Sequence, residues 1–178
     1  MINSHPPHHR RSIRLRGYDY SQSGAYFITI CTYQRKCLFG EVVKAKMQLN
    51  ELGEIVAEEW VKSAIIRPEI HLDEWIVMPD HFHGIVLLPD RVEWGASGGK
   101  PILYRPPRSL GSMIAGFKSA ATIRINRLRG TPGTRVWLRN YYERIIRDEA
   151  ALHKIRKYIT NNPMKWAQNG VSHTPTHL

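Results

Sequence analysis

The chain has 178 residues, enough for one domain with appendages, and 42% of them are hydrophobic, which excludes a disordered polymer. Twenty-six lysines and arginines outweigh 15 acids, a net charge of +11 with a pI near 10.0, so the chain projects a field that attracts polyanions, nucleic acid foremost. Two cysteines, Cys31 and Cys37, are too few for a disulfide framework and their spacing fits no common zinc knuckle. Cys31 reads as a small core residue. No run approaches the ~18 apolar residues of a membrane span and no apolar leader opens the sequence, so a reducing cytoplasm is the expected location.

Residues 1–24 are polar and basic, with Arg10, Arg11, Arg14 and Arg16 among histidines and prolines, and read as an arm. The aromatic and β-branched stretch 25–33 predicts a strand. Gly40 marks a turn. Leu52, Ile55, Val56 and Trp60 recur at helical spacing, predicting a helix over 50–65. Two apolar runs, 71–78 and 81–88, flank Pro79-Asp80 and predict a hairpin of well-buried strands. Residues 89–108 are rich in proline, glycine and cations and read as a long basic loop. A second helix is expected over 109–129, with Leu110, Ile114, Phe117, Ala121, Ile125 and Leu128 on its apolar face and Gly130 as its cap. A strand over 135–146 and a third helix opening at Asp148 and Glu149 follow, the helix stopping at Pro163. The tail 167–178 is polar. The order β-α-β-β-α-β-α, less its last helix, is the split βαβ pattern. It predicts an α+β fold, a ferredoxin-like antiparallel sheet with helices on one face, within one domain over 25–166.

The segment from Pro79 to Gly84 carries the sharpest chemistry. Alternate side chains of a strand share a face, so His81 and His83 point together while Phe82 points away. Two such imidazoles make a bidentate metal site, and Gly84 leaves room for backbone or ligand to approach. A third ligand must come from elsewhere. By type the candidates are Asp80, Asp73, Glu74 and Asn162, although strand parity turns Asp80 to the wrong face and a turn acid has a structural role of its own. Tyr158 and Asn162, four residues apart, share a helix face if the helix runs that far. Among eight tyrosines composition selects none, and Tyr141 and Tyr142 are the rivals.

The His81-Phe82-His83 triplet resembles the His-hydrophobic-His motif of single-tyrosine nickases. Residues 11–20, 26–32, 75–86, 140–148 and 158–163 together resemble one transposase-like branch of that superfamily, the REP-associated tyrosine transposases, in the expected order over roughly residues 10–166. The resemblance implies metal-dependent nicking and joining of single-stranded DNA at palindromic hairpins. It implies Tyr158 as nucleophile, forming a 5′-phosphotyrosine, and His81, His83 and Asn162 as ligands of Mg²⁺ or Mn²⁺. Insertion-sequence relatives more often carry glutamine at the Asn162 position. For DNA contacts the cations Arg10, Arg11, Arg14, Arg16, Lys100, Arg105 and Arg108 would follow phosphates, with Tyr18, Tyr20 and Tyr104 stacking on bases. A monomer and a homodimer both fit the sequence, as do two rival activities: a hairpin-binding protein that does not cut, and a metal hydrolase that uses water.

Overall fold

The computed structural model describes residues 23–89 and 109–168. Strands β1 (Gly24–Cys31), β4 (His71–Met78), β5 (His81–Leu88) and β6 (Tyr142–Ile146) form one sheet in the order β4-β5-β1-β6. All three pairings are antiparallel. This is the split βαβ topology predicted from the element order, with β1 paired on both edges.

Strand alternation divides the core between the two faces of the sheet. Tyr26, Ile28 and Ile30 of β1 and Phe82 and Val86 of β5 face α1 (Glu51–Ile66) and α2 (Leu110–Arg129), meeting Trp60, Phe117 and Ile125. Phe27 and Ile85 face the other way, against Ile155 and Ile159 of α3 (Glu149–Thr160). Asn50 caps α1 by accepting from the amides of Leu52 and Gly53, and Asp148 caps α3 by accepting from Ala151. Gly130 ends α2 in the left-handed conformation, φ 63°.

Four sequence expectations change. A hairpin of β2 (Gly40–Val43) and β3 (Lys46–Leu49) occupies what read as a turn and its surroundings. Its tip is Lys44-Ala45, both at positive φ, so it lacks the Asn-Gly or Asp-Gly signature that betrays such turns. The strand expected over 135–146 forms only from Tyr142; upstream, Trp137 makes a single bridge to Thr32. The carbonyls of Leu138 and Arg139 accept instead from the Lys118 ammonium, at 2.7 and 3.0 Å. Pro163 does not stop the helical region: α3 ends at Thr160 and α4 (Asn162–Gln168) begins with proline in its first turn, where no amide hydrogen is needed. In α2, Leu128 is exposed and Met113 joins the buried face, on which the last turn contributes Asn126.

Tyr158 rides on α3, whose attachment to the sheet combines the Ile155 and Ile159 contacts with one ion pair. Arg156 donates from Nε and Nη2 to the two carboxylate oxygens of Asp73, at 2.8 and 2.6 Å. Asp73 sits at an irregularity in β4, where the register shifts between Leu72 and Trp75. A forked pair of this kind fixes orientation as well as distance.

Candidate active site

The face of the sheet under α3 and α4 holds the two histidines. His81 and His83 stand on successive outward positions of β5, both buried, with ring centroids 4.6 Å apart. Phe82 between them enters the opposite core against Trp60. Gly84 serves that core and no ligand: a Cβ there would come within 2.9 Å of both the Trp60 and Phe82 rings.

Each imidazole is held at Nδ1. His83 Nδ1 lies 2.8 Å from Thr29 Oγ1, its register partner on β1. His81 Nδ1 lies 2.6 Å from Asp80 Oδ1, and Arg35 Nε lies 2.9 Å from the other oxygen of that carboxylate. Phe27 stacks on His83 with centroids 5.3 Å apart. Burial first, and then the charge of His81, push His83 well below the ordinary imidazole range, so His83 is neutral.

Helix α3 delivers the phenol of Tyr158 to this pair. Its oxygen is 3.5 Å from His83 Nε2, at the long limit of a hydrogen bond. The Tyr158 ring also meets Phe27 edge-on, and the Lys165 ammonium lies 4.9 Å from its centroid. Burial pushes the phenol above its usual value, while a hydrogen bond from Asn162 acts in the opposite direction. Although the helix breaks at Asn161, the buried Asn162 thus stays beside Tyr158, now as the first residue of α4. Trp166, further along α4, lies over His81 with centroids 5.8 Å apart.

The other predicted residues fall as follows. Asp73 is taken by Arg156 and Glu74 is exposed on β4. Asp80 faces His81 from the β4–β5 turn, so its role is to hold a ring. Tyr142 is the register partner of Thr29 and packs with the same cluster as Tyr158, whereas Tyr141 packs with the opposite core. Cys31 is half-buried on the histidine face, opposite His81 in register, and accepts from Arg35 Nη1; it is no core residue, because β1 ends there. Arg10, Arg11, Arg14, Arg16, Tyr18, Tyr20, Lys100, Tyr104, Arg105 and Arg108 lie outside the described residues. Sequence reasoning missed Thr29, Arg35, Lys165 and Trp166. Thr29 had a signal, a polar side chain in an apolar strand; the other three are distant surface-type residues that only the fold brings close.

Among the described residues no three His, Cys, Asp or Glu side chains cluster as a metal site, so any ion here would rest on two imidazoles and an amide. That donor set fits. Both Nδ1 atoms are engaged, which leaves each ring its Nε2, and a carboxylate at the far nitrogen is the usual support of a metal-bound histidine. An amide oxygen and phosphate oxygens suit hard divalent ions.

The four-stranded split βαβ sheet with its helices is similar in fold to the REP-associated tyrosine transposases. The solved structure of one of these bound to a REP hairpin superposes with a TM-score of 0.57 at 20% identity, over 85% of this chain and 73% of its own. The chain belongs to the same family as an uncharacterised protein of Haemophilus influenzae, which is 39% identical over 170 residues, 91% of this chain and 92% of the relative. No family model matches the sequence. No helix among the described residues is long and apolar enough to cross a membrane.

Proposed function

We propose that this protein is a metal-dependent tyrosine transposase that nicks and rejoins single-stranded DNA at palindromic hairpins in the cytoplasm. The observation that carries the reading is the Tyr158 phenol, 3.5 Å from His83 in a face shared with His81. His81, His83 and Asn162 would hold Mg²⁺ or Mn²⁺, which when bound supplies positive charge to the non-bridging oxygens of the scissile phosphate.

The chain's own residues account for the rest. Thr29 and Asp80 hold the two rings in place. Phe27 and the neighbouring apolar side chains shield part of the Tyr158 ring from water. The Tyr158 oxygen attacks phosphorus and gives up its proton; the bond from phosphorus to the 3′ oxygen breaks, and that oxygen takes up a proton to become a free 3′-hydroxyl. The DNA stays joined to Tyr158 through its 5′ phosphate. The Lys165 ammonium over the ring favours the negative charge the phenol acquires. Attack by a 3′-hydroxyl on the phosphotyrosine reverses the bond changes and rejoins DNA without ATP, because a phenolate is a better leaving group than an alkoxide. The net charge of +11 suits a polyanionic substrate, and the REP hairpin held by the structural neighbour suggests the shape of that DNA.

Labelled hairpin DNA incubated with the protein and Mn²⁺ tests the reading. A denaturation-resistant adduct that disappears in Tyr158→Phe is expected. Binding without an adduct across a range of hairpins would overturn it in favour of a protein that grips hairpins, and cleavage that survives Tyr158→Phe in favour of a water nucleophile.

A further inference from the structure

The contact between Asp80 and His81 belongs to a larger construction. The Asp80 side chain is fully buried, and its two oxygens are divided between His81 Nδ1 at 2.6 Å and Arg35 Nε at 2.9 Å. Arg35 reaches this point from a tight turn, Tyr33–Arg35, in which Gln34 and Arg35 both adopt left-handed backbone, φ 58° and 55°. Consecutive non-glycine residues in that region are strained, and such strain persists only where the surroundings impose it.

The surroundings do impose it. Tyr33 N donates to Val136 O. Thr32 N donates to Asp80 O at 2.9 Å, and the amides of Leu38 and Phe39 donate to Pro79 O at 2.8 and 3.1 Å. The Thr32 hydroxyl lies between Asp80 O and Lys36 O, at 3.0 and 2.8 Å. The segment 32–39 therefore grips both residues of the β4–β5 turn and presents one cation to the carboxylate inside it.

We infer that Arg35, acting through Asp80, is a positioning residue that holds the His81 proton on Nδ1 and aims Nε2 at the metal site. An ionised carboxylate only accepts hydrogen bonds, so a ring nitrogen 2.6 Å away must be the one that bears hydrogen. In the neutral ring the lone pair is then on Nε2, the nitrogen an ion requires. Arg35 places its positive charge 2.9 Å from the second oxygen, an ion pair that holds the carboxylate in place, and its guanidinium donates in turn to Cys31 Sγ at 2.7 Å. A lysine could supply the charge but not the second nitrogen that reaches Cys31.

This inference rests on the metal-site reading above, and two readouts separate the fates of the two. The first is the His81 tautomer in the metal-free full-length protein, read by long-range proton–nitrogen NMR in mildly alkaline solution, with the resonance assigned through His81→Gln. The second is Mn²⁺ affinity by calorimetry. Wild type is expected to show the Nδ1–H tautomer. Arg35→Met is expected to show a mixture and about 10–100-fold weaker Mn²⁺ binding, with Arg35→Lys between the two. If Arg35→Met fails to fold, Asp80→Asn serves in its place: its amide can donate to Nδ1 and shift the proton to Nε2, with a similar loss of Mn²⁺ affinity. A folded Arg35→Met or Asp80→Asn that keeps both the tautomer and the affinity of wild type overturns the inference. Wild-type protein that binds no Mn²⁺ sinks the metal reading, and the tautomer alone then decides whether Arg35 and Asp80 set the ring.

Discussion

The phenolic oxygen of Tyr158 stands 3.5 Å from Nε2 of His83, across a sequence separation of 75 residues. One comes from the helix that follows the last strand and the other from the buried β5 strand. The contact exists because Phe27, Ile85, Ile155 and Ile159 pack α3 onto one face of the sheet. Thr29 holds the other ring nitrogen, so the phenol meets His83 at the nitrogen left available.

That contact has a measurable consequence. Tyr158→Phe removes the oxygen while keeping the ring that packs against Phe27 and His83. It is expected to abolish the covalent DNA adduct while leaving Mn²⁺ affinity equal to wild type. Gel assays and calorimetry on the same sample check both halves, and Tyr142→Phe is expected to retain the adduct.

Asn162 opposes the effect of burial on the phenol. Removing it in Asn162→Ala leaves burial unopposed, so the phenol moves further up. The alkaline rise of adduct formation with pH is then expected to shift to higher pH, with a lower rate at neutrality. A profile that falls in amplitude without shifting would assign Asn162 to the metal alone.

The Asp73–Arg156 pair should set the acid stability of the Tyr158 helix. The guanidinium holds the Asp73 carboxyl below its ordinary value of 3.8. A depressed carboxylate contributes stability that is complete above its unfolded value and is lost as pH falls through the folded one. Thermal unfolding followed from neutral pH down past pH ~4 should therefore show Asp73→Asn less stable than wild type near neutrality and the two converging in acid. Parallel curves would show that the pair contributes nothing through charge.

Gly84→Ala tests the assignment of this glycine to the core. The new methyl would meet the Trp60 and Phe82 rings at 2.9 Å, an overpacking expected to cost about 1–3 kcal/mol. Chemical denaturation measures it. An unchanged midpoint would mean that those rings have room to retreat.

Much of this molecule was legible in the order of its residues. Local patterns determined α1, α2 and the β4–β5 hairpin, because apolar periodicity and the Pro79-Asp80 turn act over a few residues. Parity alone put His81 and His83 on one face and Phe82 on the other. The β2–β3 hairpin was illegible because its left-handed tip is built from lysine and alanine, and β6 started late because Lys118, on another element, takes the carbonyls before it.

What only the tertiary structure decided was which residues share the histidine face. Sequence parity set Asp80 aside as a ligand, yet the fold turns its carboxylate to His81 and brings Arg35 to it through a strained turn. The positions of Lys165, Trp166 and the displaced start of α4 likewise depend on how the chain breaks at Asn161. Periodicity records which side of an element is apolar. It carries no record of which elements meet, because that is settled by the summed packing of the two faces of the sheet.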